Sequence, residues 1–279
     1  MTDPAGKPAG KAVLTTGANS GIGLATVVTL ATLGFRSIGT VRSEAKADAV
    51  MAAAKKAGVR VETVLLEVTD AMRCAEMVNR IRPWAIVNNA GYSRVGAIEE
   101  VSDDDARHQL ETMVVAPMRL ARLALPHMRA AGDGRIVNVS SIYGLTTTPL
   151  SGWYQASKHA LEAASDALRL EVARDGIRVV LIEPGGLKTG IWEDFESDMS
   201  RREDSGYEAA YHRIRALIDL FMPFMGEPEG AAKVIAKALT AKEPHARYLV
   251  GRDAQMIASF QPFLPAAVRD RVTRFVVGL

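Results

Sequence analysis

Tyr154 and Lys158 stand four residues apart at the start of a helical pattern, so a phenol and an ammonium share one helix face within reach of a common ligand. A free tyrosine, with a pKa of about 10, is a poor base near neutrality. A neighbouring ammonium favours the phenolate, so the pair suits proton transfer to or from a reacting oxygen. Ser141 lies 13 residues before Tyr154, directly after a predicted strand, at the carboxyl edge where sites form in α/β sheets. Ser140 is the second candidate for a hydroxyl in that place.

A different chemistry is written into Thr16-Gly17-Ala18-Asn19-Ser20-Gly21-Ile22-Gly23, between the first strand and a helix. Its glycines let the backbone turn sharply and approach a phosphate, which then faces the amino end of the helix.

The elements that must position these residues can be read from alternating patterns. Short β-branched runs at 11–16, 35–41, 59–68, 84–88, 135–140, 177–183 and 247–250 alternate with alanine-rich helical stretches. That alternation predicts a single doubly wound, parallel α/β sheet of about seven strands, covered on both faces. Leu161, Ala164, Leu168 and Val172 mark the buried stripe of a helix over 157–174. The stretch 185–227 is long and rich in aromatics and methionines, which predicts a substrate-binding lid over about 186–227. Residues 1–10 read as a flexible lead-in, and 11–279 as one dinucleotide-binding domain.

The composition excludes several classes. Thirty-four basic residues nearly cancel 32 acidic ones with no basic run, so nucleic acid is not an expected partner. One cysteine, Cys74, permits no internal disulfide and has no metal-ligand companion, so no metal site is expected. With no secretory signal and no apolar run near the roughly 20 residues of a membrane span, a soluble, cytoplasmic protein is expected. The tail, 263–279, mixes apolar residues with Arg269, Arg271 and Arg274; packing on its own body or on a sister subunit is expected, a membrane surface being the alternative.

The glycine spacing, together with Asn88-Asn89-Ala90-Gly91, Tyr154-Gln155-Ala156-Ser157-Lys158 and Pro184-Gly185, resembles the short-chain dehydrogenase/reductase family along nearly the whole chain from Lys11. The resemblance implies that Ser141 hydrogen-bonds the substrate oxygen, Tyr154 is the general acid/base, and Lys158 both lowers the phenol pKa and binds the nicotinamide ribose. It assigns cofactor contacts to Gly17, Asn19, Ser20, Gly21, Ile22 and Gly23. Glu67 and Val68 take the adenine side, and Asn88, Ala90 and Gly91 line the cofactor. Pro184, Gly185 and Thr189 contact the nicotinamide and pyrophosphate.

In that family a carboxylate ends the second strand when NAD is the cofactor; here Val41 is followed by Arg42, which suits the 2′-phosphate of NADP and makes NAD the lesser expectation. Met113 occupies the place of the family's usual asparagine, whose backbone carbonyl holds a water leading to the lysine. Pro117, four residues on, has no N–H to cap the Met113 carbonyl, so the relay is expected to survive. Tyr143 and Trp192 are expected to contact substrate, within aromatic surroundings (Trp153, Phe195, Tyr207, Tyr211, Phe221, Phe224) that imply a lipophilic ketone or alcohol. Family members commonly pair through the two long helices, here about 103–131 and 154–174, so a homodimer or homotetramer is expected. The alternative reading is a dinucleotide-binding regulator or redox sensor without turnover.

Overall fold

The computed structural model describes residues 10–200, 202 and 205–279; the lead-in expected over 1–10 lies, save for Gly10, outside them. Seven strands, β1 (Ala12–Thr15), β2 (Arg36–Val41), β3 (Glu62–Leu65), β4 (Ala85–Asn88), β5 (Gly134–Val139), β6 (Ile177–Pro184) and β7 (Arg247–Val250), form one sheet. It is parallel throughout, in the order β3-β2-β1-β4-β5-β6-β7. The helices are α1 (Gly21–Thr32), α2 (Glu44–Lys56), α3 (Ala71–Ile81), α4 (Asp103–Leu110), α5 (Ala116–Ala131), α6 (Gly152–Glu171), α7 (Ile191–Ser200), α8 (Glu208–Phe221), α9 (Pro228–Thr240), α10 (Arg252–Phe260) and α11 (Ala266–Val277).

Successive strand residues point to opposite faces, so the central strands feed two cores. Leu14, Ile86 and Ile136 meet Leu120, Ala124 and Met128 of α5 on one side. Val13, Val87 and Val137 meet Leu30 of α1 and Ile235 and Leu239 of α9 on the other. Burial on both faces is why these strands read as continuous apolar runs. β3 is shorter than its apolar run suggests, because it is an edge strand whose partner β2 pairs with it only from Ile38↔Glu62 to Val41↔Leu65.

The strand order reverses between β1 and β4, and the carboxyl ends of β1, β4, β5 and β6 therefore open onto one crevice. The expected helix over 103–131 is divided by a π-helical turn at Glu111–Val115, where the Ala116 N–H reaches back five residues to the Glu111 carbonyl. Pro117 follows this turn; a residue without an N–H cannot sustain the regular ladder there. The insertion after β6 is pinned at its base: the Lys188 N–H donates to Gly226 O (2.9 Å), the Gly226 N–H to Gly186 O (3.0 Å), and Lys188 pairs with Glu227 at 2.7 Å.

Candidate active site

The loop after β1 is built for close approach. Gly17 (φ +66°) and Gly21 (φ +51°) occupy the left-handed region that side chains rarely adopt, and a Cβ on Gly23 would lie 2.1 Å from the Gly17 carbonyl. Asn89 fastens the loop from β4, its side-chain amide donating to Thr16 O at 3.0 Å and Gly17 O at 3.1 Å. The N-cap of α1, Ser20, forms no side-chain cap, and the first turn carries no acid. Its N–H groups therefore suit an anionic phosphate, and Thr189 closes the far side of Gly21, 3.1 Å from where a Cβ would sit. These features fit a dinucleotide: a cradle that a Cβ would fill, beneath an uncapped helix terminus.

Asn88, expected to line the cofactor, turns instead into the sheet, donating to Asn138 Oδ1 at 2.8 Å and Pro117 O at 3.4 Å. It binds β4 to β5 and to α5. Its neighbour Asn89, passed over in the sequence, performs the loop contact; it belongs to the same motif, and only the direction of each side chain separates them. Arg42 is exposed immediately after β2, with Val41 buried before it. Glu67 is exposed and Val68 buried in the turn after β3, and Gly91 covers the buried Met113.

Ser141, Tyr154 and Lys158 come together, all three buried, where β5 ends and α6 begins. Ser141 caps a short helical turn, accepting from the Tyr143 N–H at 3.1 Å, and hydrogen-bonds the Tyr154 phenol. The Lys158 ammonium donates to Val139 O at 2.8 Å and sits 5.7 Å from the Tyr154 ring centre. Tyr143 packs edge-on to Tyr154, with ring centres 6.3 Å apart. Ser140, the second-ranked serine, has a buried hydroxyl with no hydrogen-bond partner among the described residues.

Burial pushes the Tyr154 phenol up to about 12, only partly offset by the Ser141 hydrogen bond, and burial also lowers Lys158 to about 8. In the protein alone desolvation therefore dominates, and the phenol rests protonated, as a proton donor must. Met113 is buried against this centre; its thioether sulfur accepts from the Gln109 amide (3.2 Å) and the Ser157 hydroxyl (3.7 Å).

Behind Lys158 lies a charge cluster that the sequence did not announce. Arg247 of β7 pairs with Glu162 (3.1 Å) and Asp166 (2.7 Å) of α6 and with Glu183 of β6 (3.1 Å). Burial, with Glu162 alongside, raises Glu183 to about 7. Glu162, one turn after Lys158, is the acid that favours its ammonium. The available signal was the placement of Glu162 four residues after Lys158 and Glu183 before Pro184-Gly185, but no local pattern shows that β7 delivers the arginine.

The insertion is less of a pocket than its composition suggests. Tyr207 donates to Glu99 Oε1 at 2.6 Å, and Tyr211 bonds both the Ala97 N–H (2.9 Å) and Glu100, so these rings anchor α8 to the 97–100 segment. Phe221 and Phe224 are exposed, and the side chain of Phe195 lies outside the described residues. The Trp192 indole donates to Leu187 O at 2.8 Å. That ring lines a cleft of about 930 Å³ running from Gly21 and Thr189 along α1 to Lys56, which none of Ser141, Tyr154 and Lys158 lines.

Comparison with known proteins matches these features. A family model described as short chain dehydrogenase covers residues 11–200. The uncharacterized oxidoreductase YusZ of Bacillus subtilis (strain 168) is 34% identical, over 95% of this chain and 97% of its own. The NADPH-dependent 3-dehydrocapnine reductase of Ornithobacterium rhinotracheale is 31% identical, over 92% and 94%. A solved short-chain dehydrogenase from Streptomyces avermitilis superposes with a TM-score of 0.76 at 31% identity, covering 96% of each chain.

Proposed function

Because the chain belongs to the short chain dehydrogenase family and is an NAD(P)-dependent oxidoreductase, we propose that it interconverts a ketone or aldehyde and an alcohol on a lipophilic substrate. In this reading NADP(H) is the preferred cofactor and Tyr154 is the general acid/base. The observation that carries it is the meeting of the Ser141 hydroxyl, the Tyr154 phenol and the Lys158 ammonium at one buried place on the sheet edge that also carries the glycine loop.

The nicotinamide, when bound, supplies or takes up the hydride. Tyr154, held protonated by burial, gives its proton to the oxygen that becomes the alcohol, and Ser141 orients and polarises that oxygen. In the oxidative direction Lys158 stabilises the phenolate that accepts the alcohol proton, and it binds the nicotinamide ribose. Gly17 through Gly23, Ala90, Gly91, Pro184, Gly185 and Thr189 hold the cofactor, with Glu67 and Val68 at the adenine. Tyr143, edge-on to Tyr154, lines the substrate side, and 186–227 covers it. Met113, at the π-helical turn that precedes Pro117, supports the proton relay through its carbonyl.

Arg42 supports the cofactor preference, since an exposed guanidinium after β2 binds a 2′-phosphate where a carboxylate would repel it. The NADPH-dependent relative points the same way. Exposed Val115 and Leu170, on the two long helical segments, support pairing of two copies through them.

The test is consumption of NADPH and NADH with a panel of aliphatic ketones of increasing chain length. Turnover should rise with chain length and favour NADPH, and Arg42→Ala should reduce that preference by roughly tenfold, as loss of a charged hydrogen bond does. Cofactor binding without turnover on any carbonyl would move the reading to a non-catalytic dinucleotide-binding protein.

A further inference from the structure

The carboxyl-terminal helix is amphipathic the wrong way round. Val268, Val272, Phe275, Val276 and Leu279 recur at the helical spacing, and all five are exposed, Phe275 to 83%. The α11 side chain that does bury itself is Val277, which joins Tyr211 and Ala210 of α8 in a small core. Packing on its own body therefore accounts for one edge of the helix and not for its apolar stripe. Immediately before α11, Phe260 and Phe263 are also exposed, Phe263 to 84%.

At about 100° of rotation per residue, Arg269 and Arg271 fall about 80° to either side of the centre of the stripe, whereas Asp270 and Arg274 fall toward the opposite face. An arginine thus flanks the apolar band on each side, Arg271 exposed and Arg269 partly so, which is the arrangement of a helix lying in a lipid interface beside anionic headgroups. Four side chains of one helix and Leu279 just beyond it also fall well short of the roughly 20 to 30 residues that each side of a stable protein interface contributes.

We propose that the 260–279 segment is an interfacial anchor, seating Val268, Val272, Phe275, Val276 and Leu279 in the surface of an anionic bilayer with Arg269 and Arg271 on the phosphates. No helix among the described residues is long and apolar enough to cross a membrane, so the attachment is peripheral. Since α11 rests on α8 of the insertion, adsorption brings that insertion to the lipid; its value for delivering a lipophilic substrate depends on the function proposed above, but the anchor itself does not.

Cosedimentation of the full chain with vesicles of phosphatidylcholine, alone or mixed with phosphatidylglycerol, tests it. Binding should be roughly tenfold stronger to the mixed vesicles and should weaken as salt is raised. The pair Val272→Ser and Phe275→Ser should abolish binding, and Arg269→Gln with Arg271→Gln should erase the preference for anionic lipid. Both variants should oxidise NADPH with a short water-miscible ketone at the unchanged rate, so failure of the anchor and failure of the enzyme assignment read out separately. Absence of wild-type binding to anionic vesicles, or binding that survives Val272→Ser and Phe275→Ser, overturns the proposal. So does a particle mass that halves in that variant without any vesicle binding, which would assign the stripe to a second copy of the chain.

Discussion

Helices α6 and α11 are both amphipathic, and they spend their two faces oppositely. α6 buries Leu161 together with Tyr154, Gln155, Ser157, Lys158, Glu162 and Ser165, giving nearly every buried polar group a partner. α11 buries Val277 and leaves Val268, Val272, Phe275 and Val276 outside. A helix that carries polar groups into the interior tolerates the desolvation only where position matters, and the perturbed Tyr154 and Lys158 are the mark of that cost. A helix that keeps its apolar stripe outside is incomplete until something covers it.

The sharpest way to break this contrast is to change one atom on α6. Tyr154→Phe should lower kcat by on the order of 10³-fold, within the range for a lost general acid, while the NADPH dissociation constant stays put. Equal losses in binding and turnover would mean that the ring packs rather than reacts. Ser141→Ala comes next, with kcat lower by on the order of 10²-fold from loss of one oxyanion partner. The same steady-state assay on the Val272→Ser, Phe275→Ser variant of α11 should show no such change.

Acid–base behaviour sharpens the contrast further. Lys158 is lowered to about 8, so its ammonium is present below that pH and disappears above it. For the reductive direction kcat/KM should therefore fall as pH rises through about 8, with no loss from Tyr154 itself, which stays protonated to about 12. A profile flat to pH 10 would contradict the role given to Lys158. The smallest effect concerns stability. Glu183 titrates near 4.5 when unfolded and about 7 when folded, so the folded state binds the extra proton between those values. Stability from this group is complete below about 4.5 and is lost as pH rises through about 7. Urea midpoints of Glu183→Gln should show a shallower decline across that window than the wild type.

The legible and illegible parts of the molecule divide on whether the determinant is local. Strand runs such as 247–250 and the glycine loop are local patterns, and the doubly wound parallel sheet followed from the alternation of strands and helices. Tyr154 and Lys158 were legible because four residues on one helix fix their geometry. The division of labour between Asn88 and Asn89 was not, since it depends on which of two adjacent amides faces the β1 loop. Nor was the upward push on the Tyr154 phenol, because burial is a property of everything packed around it. Tyr207 and Tyr211 looked like pocket residues by composition, and long-range partners at Glu99 and Glu100 made them anchors.

The central claim is that the buried phenol, ammonium and hydroxyl serve a hydride transfer. The most direct measurement mixes the protein with NADPH carrying deuterium on each face of nicotinamide C4 in turn, together with a long-chain ketone, and locates the label in the product. The account predicts deuterium on the carbinol carbon from one face alone, and none when Tyr154→Phe replaces the wild type at matched time. Saturating NADPH binding with no label transferred to any carbonyl from either face would contradict it.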